Sequence, residues 1–211
     1  MDVVLAILIG LGLAAACGFR VFVPLAVLSI AAHAGAVSLN PSLAWLGSTS
    51  AVIALSVASA LEIAAYWCPW LDHALDTIAT PAAVVAGTIA AASQWTFTGS
   101  QGDMLKWAAA VIAGGGVAGV IQAATVTTRI GSTSVSGGLL NPLLATVESG
   151  AAIVVSVLAV VVPIVVALLL IALIAVAFLI ISRRRAQRAR LAAGEAAPSH
   201  PSLTPAMVAA T

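Results

Sequence analysis

From residue 151 to residue 181 the chain runs for 31 residues without a charged side chain. Wound as a helix at 1.5 Å per residue, that stretch would reach about 47 Å. A bilayer's hydrocarbon core is about 30 Å thick and is crossed by about 20 apolar residues. This run alone commits the chain to a membrane. The rest agrees, since 62% of the residues are hydrophobic and 7% are charged, against about 25% in an ordinary soluble domain. Backbone groups in lipid must find partners within the protein, so the expected fold is all-α, a polytopic transmembrane helix bundle.

The apolar runs and their breakers set the order of the spans. The run 3–32 is too long for one straight helix and holds Gly18, Arg20 and Pro24, so it reads as a first span broken near Arg20. Asn40-Pro41 and Gly47 mark a loop, 51–67 the second span, and Cys68-Pro69 its end. A third helix opens at Asp72 and runs to about Ser93, and the polar stretch 94–103 divides the chain near its middle. A fourth helix covers about 104–128 and ends at Arg129. The small, polar residues 131–138 read as a loop or a re-entrant segment, with free backbone N–H groups suited to an anion nest. Pro163 splits the last run into spans of about 143–161 and 163–182. One long kinked helix there would make five spans instead of six. Residues 14–20 and 123–129 are similar, and each is followed by Asn-Pro, which suggests a 3+3 inverted repeat with broken helices.

Charge orients this arrangement. Five of the eight basic residues, Arg183, Arg184, Arg185, Arg188 and Arg190, directly follow the last apolar run. By the positive-inside rule the C-terminus is cytoplasmic. Six spans then place both termini on that side of a bacterial inner (plasma) membrane, with 94–103 outside. Residues 1–182 form the transmembrane domain, and 183–211 a basic and then disordered cytoplasmic tail. The arginines abut a span and no aromatic residue interleaves with them, so no nucleic-acid partner is expected. Met1 to Gly18 resembles a signal peptide but carries Asp2 and no basic residue at its start, so an uncleaved first helix is expected.

Ionisable residues inside spans are functional by default in a bilayer. Arg20 has two readings: it binds an anion in an interior cavity, or it caps carbonyls freed by the helix break. Glu62 and Glu148 are the only acids inside spans, and desolvation demands that each be paired, hydrogen-bonded or protonated. Glu148 is therefore expected within reach of Arg20, Arg129 or an Asn141-capped break. Asp72 and Asp76 share a face at the start of the third helix, where acids ordinarily complement the helix dipole. Two cysteines, Cys17 and Cys68, give neither a disulfide framework nor metal spacing. Without a nucleophile–base pair, zinc spacing or phosphate loop, neither an enzyme nor a cofactor is expected. The tryptophans Trp45, Trp67, Trp70, Trp95 and Trp107 lie near span ends and read as interfacial belts. Small-residue stripes at 10, 14 and 18 and at 115 and 119 allow close helix contact, within the chain or in a homo-oligomer.

Three motifs together resemble the DUF4126 family of bacterial integral membrane proteins, a domain of unknown function. Gly18-Phe19-Arg20-Val21-Phe22-Val23-Pro24-Leu25 looks like its G-x-R-x-F-x-P-L motif. The stretch from Glu62 to Asp72 is similar to E-x-x-A-D-K-x-P-x-x-D, with Tyr66 and Trp67 in place of the Asp-Lys pair. Asn141-Pro142 followed by Glu148 resembles N-P-x-x-S-x-x-E-D, with Ala145 and Ser149 replacing Ser and Asp. The resemblance implies importance for Arg20, Glu62, Asp72, Asn141 and Glu148, and no activity. Two functional classes follow. One is a small transporter or channel for a small ion or anionic solute, with Arg20, Glu62, Asp72, Arg129, Asn141 and Glu148 as candidate site residues. The other is a non-transporting scaffold or accessory subunit of a membrane complex.

Overall fold

The computed structural model describes residues 3–66 and 69–163 and some positions from 165 to 183; the side chains of 69–77 are outside this set. Residues 1–170 form one compact unit and 171–211 a second. In the first unit every regular element among the described residues is helical. The order is α1 (Val3–Cys17), α2 (Phe22–His33), a 3-10 turn (Pro41–Gly47), α3 (Thr49–Ala65), α4 (Pro69–Gln94), α5 (Gly102–Ala109), a π-helical stretch (Ala110–Gly115), α6 (Gly116–Ser136) and α7 (Asn141–Val161). The second unit holds an apolar helix, Ile174–Arg183, and the tail beyond lies outside the described residues.

The apolar run 3–32 breaks where expected, between Cys17 and Phe22, but its two halves do not make one span. At 15 and 12 residues, α1 and α2 reach only about 22 and 18 Å, each short of the roughly 30 Å core. Both return to the same end of the bundle. Val3, Ala6 and Ile7 share a cavity with Ser38, Asn40 and Gln94, and Asn40 N–H donates to Ser93 O at 2.6 Å. At the opposite tip, the Val21 and Phe22 amides meet Glu62 near the end of α3. The segment is a helical hairpin. Apolar length alone could not reveal this, because a crossing helix and a hairpin bury the same residue types.

The start of α1 packs at the same end of the bundle as residues 94–97. Compartment-sensitive reporters at the N-terminus and at residue 100 are expected to report the same side. Opposite sides would rule out the hairpin.

Three further expectations change. Residues 131–136 are helical, not a loop, so no anion nest forms there. Their hydroxyls bond back to the preceding turn, as Ser134 Oγ does to Ile130 O at 2.8 Å and Ser136 Oγ to Ser132 O at 2.7 Å, which keeps polar side chains compatible with the helix. The helix stops at Gly137, whose φ of 62° is left-handed. Arg129 thus sits inside a continuous helix whereas Arg20 sits in a break, so the likeness of 14–20 to 123–129 does not extend to the backbone. Trp95 is core rather than belt, at 5% exposure, while Trp45 and Trp107 remain exposed and Trp67 and the Trp70 side chain lie outside the described residues.

Elsewhere the breakers act as read. The helix α7 ends at Val161, one residue before Val162 takes φ −137° and ψ 66°, as the missing N–H of Pro163 favours. Gly102–Ser136 and Asn141–Val161 are long and apolar enough to cross a membrane, and the 3-10 turn with α3 forms a pair bent by 67°. Small residues are covered within the chain. A Cβ on Gly18 would stand 2.6 Å from Ile121 Cβ and 2.7 Å from Ala118 O, so α1 approaches α6 as closely as a backbone allows.

Candidate functional site

A broken helix inside a membrane must satisfy its own backbone, and here each N–H from Gly18 to Phe22 has an acceptor. Gly18 N–H and Phe19 N–H donate to Ala15 O and Ala16 O at 3.1 and 3.0 Å, and Arg20 N–H to Ala16 O at 3.2 Å. The next two donors go to one carboxylate: Val21 N–H to Glu62 Oε1 at 2.7 Å and Phe22 N–H to Oε2 at 2.9 Å. Glu62 thereby stands at the N-terminus of α2, where the helix dipole and free N–H groups favour negative charge.

The Arg20 side chain leaves the break and crosses to α7. Its Nε donates to Ser149 Oγ at 2.9 Å and its Nη2 to Ala145 O at 2.7 Å. Glu148 Oε2 lies 3.6 Å from the same Nη2. Arg20 therefore does not cap its own freed carbonyls; it ties the hairpin tip to α7. Small residues at 145 and 149 make room for this approach on a face that also carries Glu148.

Glu148 is shared. Arg129 Nε donates to its Oε1 at 3.1 Å, and Arg129 Nη2 pairs with Oε2. This is the two-pronged geometry in which a guanidinium binds a carboxylate best. Both guanidinium groups also lie over the Tyr66 ring, Arg20 at 3.7 Å and Arg129 at 4.5 Å from the centroid. The electron-rich ring face attracts each cation and stands beside both. Two arginines and two glutamates thus gather from the hairpin tip, α3, α6 and α7, a set that is formally neutral when all four are ionised. Arg20 is 2% exposed, Arg129 4%, and the two glutamates 8% each.

Beside this cluster, a cavity of about 370 Å³ opens between α2, α3 and α4. Its walls are apolar, with Phe22, Leu61 and Ile78 among them, but Glu62 and Tyr66 also line it. The polar cluster therefore has one side within reach of a space large enough for a small molecule.

Of the expected residues, Arg20, Glu62, Arg129 and Glu148 come together. Asn141 lies two turns before Glu148 on α7, and its Nδ2 donates to Thr133 Oγ1 at 3.1 Å, bracing α7 against α6. The Asp72 side chain lies outside the described residues. Among the described residues, no three His, Cys, Asp or Glu side chains group as metal ligands. Sequence reasoning missed Tyr66 and Ser149. Tyr66, the only tyrosine, follows Glu62 by four positions and so shares its helix face. That spacing was the available signal.

The family profile of DUF4126, a domain of unknown function, matches residues 7–183. The chain belongs to the DUF4126 family. The matched range begins inside α1 and includes the hairpin tip and every described member of the charge cluster. Among curated proteins and solved structures, none matches this DUF4126 chain.

Proposed function

We propose that this helical membrane protein is a small transporter or channel, with Arg20, Glu62, Arg129 and Glu148 forming the polar site for a small ion or anionic solute. The observation that carries the reading is the hairpin tip. It sets a helix N-terminus, held by the Glu62 carboxylate, next to a residue whose guanidinium reaches α7. Half-helix N-termini at membrane depth are the device by which transporters hold anionic groups. The cavity lined by Glu62 and Tyr66 supports solute access. The arginines after residue 182 support a cytoplasmic C-terminus in a bacterial inner membrane.

A scaffold or accessory role is the second reading, favoured by the enclosure and pairing of Arg20. Flux into proteoliposomes separates the two, with chloride, acetate and phosphate as probes. The wild type is expected to move at least one of them. Arg20→Lys keeps charge without the planar fork, and Arg20→Gln loses the charge. Folded variants that have lost flux support the transport reading. If neither variant folds, Arg20 is a structural lock and the scaffold reading stands. Folded variants with normal flux would remove Arg20 from the site.

A further inference from the structure

The helices α3 and α4 follow one another in the chain, yet among the described residues their backbones scarcely approach. Instead α3 packs on α2, and α4 packs on α1 and the π-helical stretch. The gap left between them is the cavity of about 370 Å³ beside the charge cluster. Its concave shape follows from the sequence. On α3 the wall is Ala58, Leu61, Glu62 and Ala65, spaced i, i+3, i+4 and i+7, which is one helix face. Ala79 and Ala82 continue it on α4. Alanines at 58, 65, 79 and 82 leave open the space that larger side chains would fill.

Almost all of the surface facing the cavity is apolar. Glu62 contributes to the wall, but its two oxygens are turned to the Val21 and Phe22 N–H groups at 2.7 and 2.9 Å. Water gains nothing in such a space, because an apolar cavity offers it no partners. Left empty, the cavity would deprive its walls of dispersion contacts on one side. Its mouth shows what stands ready to fill it. Phe22, Leu61 and Ile78 line the cavity and are also exposed. The exposed face continues along α3 as Ile53 and Val57 and along α4 as Val85. In a membrane bundle such a face meets hydrocarbon.

We propose that this cavity binds one acyl chain of a membrane phospholipid, which enters from the bilayer between α3 and α4 and packs against Ala58, Ala65, Ala79 and Ala82. Size selects against a second protein segment. A helix with its side chains is about 10 Å across and rises about 5.4 Å per turn, so the cavity would hold less than about one turn of it. An acyl chain is narrower, asks for no hydrogen bond and is the most abundant molecule at the mouth. The proposal goes beyond the transport reading and does not rest on it. A solute that used this route would have to displace the chain.

The test irradiates the full-length protein in phosphatidylcholine nanodiscs that contain a phosphatidylcholine with a diazirine on its acyl chain, and maps the adducts by mass spectrometry. Ala79 is buried and lines the cavity, so adducts on it are expected in the wild type. Ala58→Phe should abolish them and leave unchanged the adducts on the exposed Val154 and Val157 of α7. Wild-type labelling confined to exposed residues such as Val57 and Val154 overturns the proposal, because the lipid then only surrounds the bundle. Ala79 adducts that persist in folded Ala58→Phe also overturn it. Should Ala58→Phe fail to fold, the presence or absence of Ala79 adducts in the wild type decides. If a diazirine-bearing free fatty acid labels Ala79 and the phospholipid does not, the assignment to a phospholipid is wrong. Rapid reaction of Ala58→Cys at that position with a charged, water-soluble thiol reagent would show a water-filled cavity and overturn the lipid site while leaving the transport reading intact. Ala79 adducts in a protein that moves none of the three probe anions would sink the transport reading and leave the lipid site standing.

Discussion

Glu148→Gln is expected to destabilise the protein by about 3–5 kcal/mol, the range seen when one member of a buried ion pair is removed. The change keeps the shape and removes the charge. Glu148 Oε1 accepts from Arg129 Nε at 3.1 Å, and Oε2 lies 3.6 Å from Arg20 Nη2 while also pairing with Arg129. Glutamine offers one acceptor where two are used, and it turns an N–H₂ group toward a guanidinium. The two arginines, both against the Tyr66 ring, would then repel with less compensating charge between them. Reversible unfolding in mixed micelles, followed by tryptophan fluorescence, measures the loss. A change below about 1 kcal/mol, typical of an exposed pair, would show that Glu148 is not an ionised partner of this cluster.

Glu62 is expected to show a graded effect, because its carboxylate closes the backbone of the break. In Glu62→Ala the N–H groups of Val21 and Phe22 lose their acceptors. Each buried unsatisfied group costs about 1–3 kcal/mol, giving a loss of about 2–6 kcal/mol in all. In Glu62→Gln the side-chain oxygen still serves one of the two donors, so the loss should fall between wild type and alanine. A cysteine introduced at Phe19 gives a second readout. Its reaction with a membrane-permeant maleimide should be slow in an otherwise wild-type background and fastest with alanine at 62. Equal stability of the glutamine and alanine variants would mean that Glu62 acts through its charge alone and not as the cap of α2.

Much of the fold was legible because the breakers are local. Gly18 with Arg20, Asn40-Pro41 and Pro163 each interrupt a helix through their own backbone chemistry, and helices end near each of them. The pairing of Glu148 was legible for a similar reason. A lone carboxylate in an apolar run must find a cation, and few were available before residue 183. The helix through 131–136 was misread because serine and threonine near glycine usually signal a loop. Here the hydroxyls turn back onto helical carbonyls. Lys106 was overlooked because it follows a polar loop and an acid at i−3. In the structure it turns inward to Asn40 and Ser42.

Composition and apolar length by themselves determined that this chain is a membrane helix bundle, since lipid leaves the backbone no other partner. Breaker residues determined where most of the helices stop, because their effects act within one turn. Only the tertiary structure decided that the first apolar run doubles back and which charges share one carboxylate. Those outcomes depend on which helix faces are buried together, and two half-length helices carry the same apolar residues whether the chain crosses the bilayer or returns.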